Sequence, residues 1–393
     1  MSNRSNQTIN FSGKPRILAH TIGLIDILKT GIRFDRWMGM ILGLVLATAG
    51  CSPFAFSPAA SPTPPPQAKE IVFCDYADDL PGQVLDGFTA QTGIQIHYQP
   101  YDGMDEAVRS VKSKTNCDVI AIGNDFILEL SQAGLLAKLN KANLPDIKNL
   151  SPNFRDMAYD PQNLYTIPYN WGTSGLLYRS DLVQVSGWKD LWNPNIQGKI
   201  GLWRGEPRDG IGLALKSLGF SANSEKPAEV NAAVDRLIEL GPRLIFLDDE
   251  NQAFSADYLK EGKIVMALGW AADALQSREA SPAIQYILPE EGAMLWGDNF
   301  VIPASSPNQE VAEKFLNYLL HPDVSAEIAN LNSYATANQA AMALIKPEIL
   351  NDPVIFPTNE ALKKAEIFMP LSPEGEKLYA EAWARFLQTQ KKP

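Results

Sequence analysis

From Glu70 to Gly123 the chain reads EIVFCDYADDLPGQVLDGFTAQTGIQIHYQPYDGMDEAVRSVKSKTNCDVIAIG. The spacing of its apolar residues decides the fold. Ile71-Val72-Phe73-Cys74 is a short apolar run, the mark of a buried strand. Pro81 opens a helix, because its fixed φ suits a first turn. Val84, Leu85 and Phe88 give that helix an apolar face, and Gly93 ends it. Ile94, Ile96 and Tyr98 alternate as a second strand, residues 104–114 read as helix, and Asp118–Ile122 is a third strand. Strand, helix, strand, helix, strand predicts a parallel sheet with helices on both faces.

Downstream, a helix runs to Ala133-Gly134, and the pattern breaks over Leu164–Gly175 (LYTIPYNWGTSG). It resumes with strands at Ile200–Trp203, Ile264–Trp270, Ile284–Leu288 and Met294–Pro303, and helices at Ile211–Leu218, Pro227–Leu240 and Pro307–Leu320. About 320 residues of such alternation exceed what one sheet usually needs, so two α/β lobes are expected. Ligands of these sheets bind beyond the carboxyl ends of the strands. The loops after Cys74, Ile122, Trp203, Leu268 and Leu295 should therefore surround a cleft.

Upstream, the charge changes sign. The 393 residues hold 34 Lys plus Arg against 45 Asp plus Glu, a net charge of −11, which argues against a nucleic-acid binder. Residues 1–50 nevertheless carry six basic residues and two acids. Arg33 and Arg36 precede the uncharged run Met38–Gly50 (MGMILGLVLATAG), which is shorter than the roughly 20 residues of a membrane span and fits the apolar core of a secretory signal. Leu46-Ala47-Thr48-Ala49-Gly50-Cys51 resembles a bacterial lipobox. Residues 1–50 then form a leader, Cys51 carries lipid, and 51–68, with six prolines, form an extended tether. The competing reading is an ordinary signal cut nearby, with Cys51 incidental. Beyond residue 69 no run is apolar for long enough to span a bilayer. Three cysteines exclude a disulfide-stapled fold, and three histidines lack zinc-site spacing. Cys74, late in its strand, and Cys117, at the start of a parallel one, are expected beyond the roughly 7 Å Cα limit of a disulfide, and therefore unbonded.

The cleft loops have a distinctive composition. They carry Asp75-Tyr76-Ala77-Asp78-Asp79, Asp125-Phe126, Glu206-Pro207-Arg208-Asp209, Trp270 with Asp273, and Trp296-x-Asp298, whose two side chains share one strand face. Carboxylates interleaved with Trp and Tyr suit an oligoamine: each ammonium donates charge-assisted hydrogen bonds to carboxylates, while aromatic faces hold the cation and cover its methylenes. The plainer readings are solvated acidic loops, core tryptophans, Asp273 as a helix cap and Asp75 satisfying turn backbone. No nucleophile elbow, P-loop or dinucleotide fingerprint is present. Paired carboxylates leave glycoside hydrolysis as the enzymatic alternative.

From about Glu70 to Phe386 the sequence resembles the spermidine/putrescine-binding proteins of bacterial polyamine ABC transporters. The segments that carry the resemblance are Phe88-Thr89-x-x-Thr92-Gly93-Ile94, Ile167-Pro168-Tyr169-x-Trp171-Gly172, Trp188-x-Asp190-Leu191-Trp192-x-Pro194 and Pro289-x-Glu291-Gly292-x-x-x-Trp296-x-Asp298. The last is the most specific to polyamine binders. The resemblance implies a two-lobed solute-binding protein, each lobe a mostly parallel sheet flanked by helices. Lobe 1 is then 69–172 plus 298–342, and lobe 2 is 173–297 plus 343–393. Trp171-Gly172 and Trp296-Gly297-Asp298 fall at the crossovers. Taken with the lipobox at Cys51, it also implies a periplasmic, lipid-anchored monomer that needs no cofactor and passes putrescine or spermidine to a membrane permease. Among the family's ligand positions, acids match Asp78, Glu206, Asp209 and Asp298, aromatic walls match Trp270 and Trp296, and Tyr334 matches a tyrosine. Tyr76 stands where tryptophan is usual, Asp79 and Asp125 where tyrosines are common, and Phe368 where glutamine is. The alternative is a protein of the same fold for a sugar or ferric iron.

Overall fold

The computed structural model describes residues 68–77, 79–101, 103–247 and 255–390; the predicted leader, the tether up to residue 67, Cys51 and Asp78 lie outside the described residues. β1 (Glu70–Tyr76), α1 (Gly82–Thr92), β2 (Gln95–Tyr101), α2 (Met104–Lys112) and β3 (Val119–Gly123) form the predicted opening unit. β1 lies parallel to β2 on one side and β3 on the other. Gly93 ends α1 with φ 74°, a left-handed turn that costs glycine little. Asp105 and Glu106 in the first turn of α2, with Arg109 and Lys112 in its last, complement the helix dipole.

After α3 (Ile127–Gln132) comes β4 (Thr166–Arg179), fourteen residues long and buried except for its last two. The sequence pattern breaks here because β4 is covered on both faces and so has no alternation to read. Its proline and glycines also depress strand signals. Pro168 sits at a register shift between Pro168 and Trp171, where a missing N–H is tolerated. The second lobe follows with β5 (Ile200–Leu202), α4 (Pro207–Ser217), α5 (Pro227–Leu240), β6 (Leu244–Phe246), α6 (Ser255–Lys260), β7 (Met266–Trp270), α7 (Ala271–Ala280) and β8 (Ile284–Ile287). β9 (Met294–Val301) returns to the first lobe, which is completed by α8 (Gln309–Leu319), α9 (Pro322–Asn332) and β10 (Ala335–Thr336). Then come α10 (Pro347–Leu350), β11 (Glu366–Ile367) and α11 (Pro373–Thr389).

The strands follow the path β2-β1-β3-β9-β4-β7-β5-β6, with β8 and β10 on β4 and β11 on β9. Parallel pairs occupy both ends, while the crossover strands β4 and β9 run antiparallel to each other and to their neighbours β7 and β3. Each end has its own cores. Phe73, Phe88, Phe300 and Phe315 interlock in the first lobe, with ring centroids 5.1–5.6 Å apart in three edge-on pairs. In the second lobe, Trp188, Leu213, Trp383 and Phe386 belong to one buried cluster, and the Trp188 indole donates to the Gly292 carbonyl at 3.1 Å. The lobes are thus two hydrophobic bodies joined through β4 and β9.

One expectation is overturned. Cys74 and Cys117 form a disulfide, with Cα atoms 5.9 Å apart. The expectation assumed that Cys117 was already in strand register, but β3 begins only at Val119, and the chain bends at Asp118. Cys117 is thereby released from the ladder spacing and packs with Cys74 in the core that β3 shares with Val108 and Val111 of α2.

Candidate functional site

β1 delivers the first loop. Asp75, 1% exposed, accepts one hydrogen bond, from the Tyr76 backbone N–H at 2.9 Å, and its Oδ2 has no partner. Its carboxyl is pushed well above the ordinary carboxylate range, by burial first and then by Asp79 and Asp298. Tyr76 stacks edge-on against Tyr101 at 4.7 Å, and its carbonyl accepts from the Tyr98 hydroxyl. The Asp79 carbonyl accepts from the Tyr169 hydroxyl at 3.2 Å and from Asn332 Nδ2 at 3.1 Å, which ties this loop to β4 and to the end of α9.

The β3 loop is fixed by Asn124. Its backbone N–H donates to the Gly297 carbonyl at 2.9 Å, its Oδ1 accepts from the Gly297 N–H at 2.8 Å, and its Nδ2 donates to the Phe368 carbonyl. Asp125 is thereby held beside the crossover. On β9, Trp296 and Asp298 are half-buried while Leu295, Gly297 and Asn299 are buried, so the two-residue spacing does present both side chains on one face. Trp296 lies flat against Gly172, where a Cβ would come within 2.3 Å of the indole, so only glycine fits opposite this ring. Tyr334 meets Trp296 edge-on at 5.6 Å.

The second lobe contributes α4 and α7. Glu206 caps the start of α4 and its carbonyl accepts from the Gly210 N–H at 3.0 Å. Asp209, in the first turn, is buried with Oδ1 unpartnered. Trp270 packs 5.3 Å from Trp203, and Asp273 caps it, accepting from the Trp270 N–H at 3.4 Å.

Several of these groups act on one another electrostatically. Asp298 is raised to about 8 by burial, then by Asp79 and Asp125. Asp209 is raised to about 6 by burial, eased by the nearby Ser174, whose hydroxyl nevertheless lies outside hydrogen-bond geometry. Asp273 is raised to about 6 by burial, and Asp125 is raised by burial and eased by Arg208. The phenol of Tyr76 is pushed up by burial and then by Asp298, Glu206, Asp79 and Asp75, acids of both lobes. Tyr334 is pushed up by burial and then by Asp79, Asp273, Asp298 and Asp75. These influences, with the Trp296–Tyr334 contact, link eight of the predicted residues, Tyr76, Asp79, Asp125, Glu206, Asp209, Trp296, Asp298 and Tyr334; Trp270 joins them through Asp273, and Asp78 lies outside the described residues.

Of twelve buried polar side-chain atoms without a partner among the described residues, eight sit here: on Asp75, Asn170, Ser174, Arg208, Asp209 and Trp296. Buried polar atoms are normally satisfied by protein or by ordered water, so this concentration singles out the region around β1, β4, α4 and β9. A second hollow of about 690 Å³ on the second lobe, between Asp190, Lys216, Glu291 and Glu366, is different. There Asp190 accepts from Ser186 and Gly187, Glu291 from Trp188 and Lys189, and Glu366 from Lys216 and Ala222.

Residues 83–358 match the model of the bacterial extracellular solute-binding proteins. The chain belongs to that family. It is 31% identical over 301 residues to the spermidine/putrescine-binding periplasmic protein of Escherichia coli K12, covering 75% of this chain and 85% of that protein. It is 29% identical over 344 residues to the putrescine-binding periplasmic protein PotF of the same organism, covering 81% and 91%. Among solved structures, the spermidine/putrescine ABC transporter substrate-binding protein PotD of Streptococcus pneumoniae superposes with a TM-score of 0.72 at 29% identity, covering 82% of this chain and all of that one.

Within this solute-binding protein, sequence reasoning underweighted three groups. Asp75 does accept a turn N–H, but with one oxygen only. Asp273 is the predicted helix cap and also acts on Tyr334 across the cleft. Arg208, a lone cation among acids, received no role. Phe368 is 4% exposed and belongs to the second-lobe core, with the Arg208 guanidinium 4.7 Å above its ring.

Proposed function

We propose that this chain captures a polyamine, putrescine or spermidine, between its lobes and delivers it to the membrane permease of an ABC transporter. The observation that carries this reading is a set of under-bonded carboxylates, Asp75 and Asp209 buried and Asp298 half-buried, with Trp270, Trp296, Tyr76 and Tyr334 as their aromatic neighbours. Burial and mutual repulsion raise the acids, and a chain of ammonium groups relieves both. The aromatic rings cover the intervening methylenes. A neutral sugar would leave the carboxylates uncompensated. The names of the E. coli and S. pneumoniae relatives support the same ligand class, and a binding role rather than catalysis. In this reading the lobes are 69–172 with 298–342 and 173–297 with 343–393, the chain works as a monomer, and Cys51 anchors it by lipid through the 51–68 tether.

Calorimetric titration with putrescine, spermidine, spermine and a sugar panel tests the ligand. Saturable binding of a polyamine is expected. Binding of a sugar alone would overturn the assignment. For the anchor, Cys51→Ala should abolish lipid labelling while leaving polyamine binding intact.

A further inference from the structure

Arg208 stands at the start of α4 with its guanidinium between two rings, 4.7 Å from Phe368 and 5.0 Å from Tyr379. Nη2 donates to Asn223 Oδ1 at 2.9 Å and to the Met369 carbonyl at 3.1 Å. Nε and Nη1 are closed off from solvent and have no acceptor. A guanidinium held by its faces and one nitrogen, with the other donors idle, is oriented for an acceptor that has yet to arrive.

Three carboxylates feel its charge. Asp209 is its chain neighbour, but consecutive helix residues diverge, and Asp209 Oδ1 and the Arg208 Nε and Nη1 all remain unpartnered. Glu376 is exposed to solvent on α11, in the same lobe. Asp125 comes from the other lobe. Its loop is pinned by Asn124, which donates to the carbonyl of Phe368, the residue whose ring carries Arg208. Asp125 makes no ion pair in this structure, and its Oδ1 folds back to within 2.9 Å of where a Gly123 Cβ would lie.

We propose that Asp125 and Arg208 meet as the lobes close on ligand, so that Arg208 is a positioning residue that holds the closed state and Asp125 is its partner rather than an acid for the polyamine. The proposal rests on the polyamine reading of the cleft. The electrostatic influence of Arg208 on Asp125, the largest one opposing burial, agrees with this placement. The pair also resolves the charge count: one of the two carboxylates that stand where the family has tyrosines is neutralised from within.

The sign of one substitution separates the possibilities. If Arg208 merely opposed a polycation, Arg208→Gln would tighten putrescine and spermidine binding. As a closing pair, Arg208→Gln should weaken both roughly tenfold, about 1.4 kcal/mol, chiefly through faster dissociation in stopped flow. Asp125→Asn should do the same, and the double variant should be no worse than either single one. Arg208→Lys, which keeps the charge, should recover part of the loss, and Glu376→Gln should change nothing. Tighter or unchanged binding by Arg208→Gln, or additive losses in the double variant, overturns the pair. A second arm needs no ligand: in the folded Asp125→Cys, Arg208→Cys variant, a short bifunctional thiol reagent that replaces the length of the lost side chains should cross-link the lobes. Failure to cross-link counts against the proposal. Cross-linking in a protein that binds no polyamine would instead leave the pair standing and remove the ligand assignment.

Discussion

Two kinds of buried carboxylate coexist in this molecule. Asp160, beneath the turn into β4, is 2% exposed and accepts from the backbone N–H groups of Leu164, Tyr165 and Thr166 at 2.8–3.0 Å and from the Thr166 hydroxyl at 2.7 Å. Asp75, in the cleft, is equally buried and accepts one bond. Burial alone therefore does not separate the two. The donor count does, because an ionised carboxylate offers about four acceptor sites and is costly to bury with those sites empty. Asp160 has spent its capacity on the chain, whereas the buried Asp75 and Asp209 and the half-buried Asp298 have not.

That contrast can be broken by substitution. The largest effect is expected at the satisfied end. Asp160→Ala orphans four donors and should destabilise the fold by about 4 kcal/mol, at roughly 1 kcal/mol per donor. The midpoint of thermal unfolding should fall on the order of 10 °C, while the protein that remains folded binds polyamine as before. An unchanged melting curve would erase the distinction. At the reserved end the pattern reverses. Asp298→Asn should weaken spermidine binding by about 3 kcal/mol, near a hundredfold in calorimetric titration, and leave the melting temperature of the empty protein equal or higher. Equal affinity in the variant would make Asp298 structural.

A pH series sharpens the contrast without mutation. Asp298 is raised to about 8 and Asp209 and Asp273 to about 6, against an ordinary value of 3.8. Between these values the folded state keeps protons that the unfolded chain has released. These groups therefore add stability as pH falls, and that stability is lost as pH rises through 6 to 8. The empty protein should melt a few degrees higher at pH 6 than at pH 8, and Asp298→Asn should flatten the difference. Ammonium ligands favour the ionised acids, so binding at pH 7 should release protons, read as a dependence of binding heat on the buffer's ionisation enthalpy. Proton uptake would contradict the site. The smallest effect is expected at the aromatic wall, where Trp270→Leu should cost about 1 kcal/mol of binding, roughly fivefold.

Much of the site could be read from sequence because its loops follow strands with clear periods. The apolar run ending at Cys74 put Asp75–Asp79 at a carboxyl end, and the spacing of Trp296 and Asp298 needed only the two-residue strand repeat. Where the reading failed, the cause was a residue with two roles or a strand with no alternation. Asp273 could be read both as an acid of the loop after β7 and as a helix cap, and the cap reading kept it off the predicted site. β4 is buried on both faces, so the strand that joins the lobes read as a break. The Cys74–Cys117 pairing depended on a local bend at Asp118, which leaves no periodic trace. Arg208 gains its meaning from Phe368 and Tyr379, more than 150 positions away.

The disulfide bears on how the protein should be made. Cys74 immediately precedes Asp75, and the bond to Cys117 spans 43 positions, enclosing α1, β2 and α2. Such links form and persist in oxidising compartments and are undone in the cytosol. The floor of the first acidic loop is therefore finished by the surroundings into which the chain is delivered. Material matured in a reducing cytoplasm lacks that covalent link beneath Asp75.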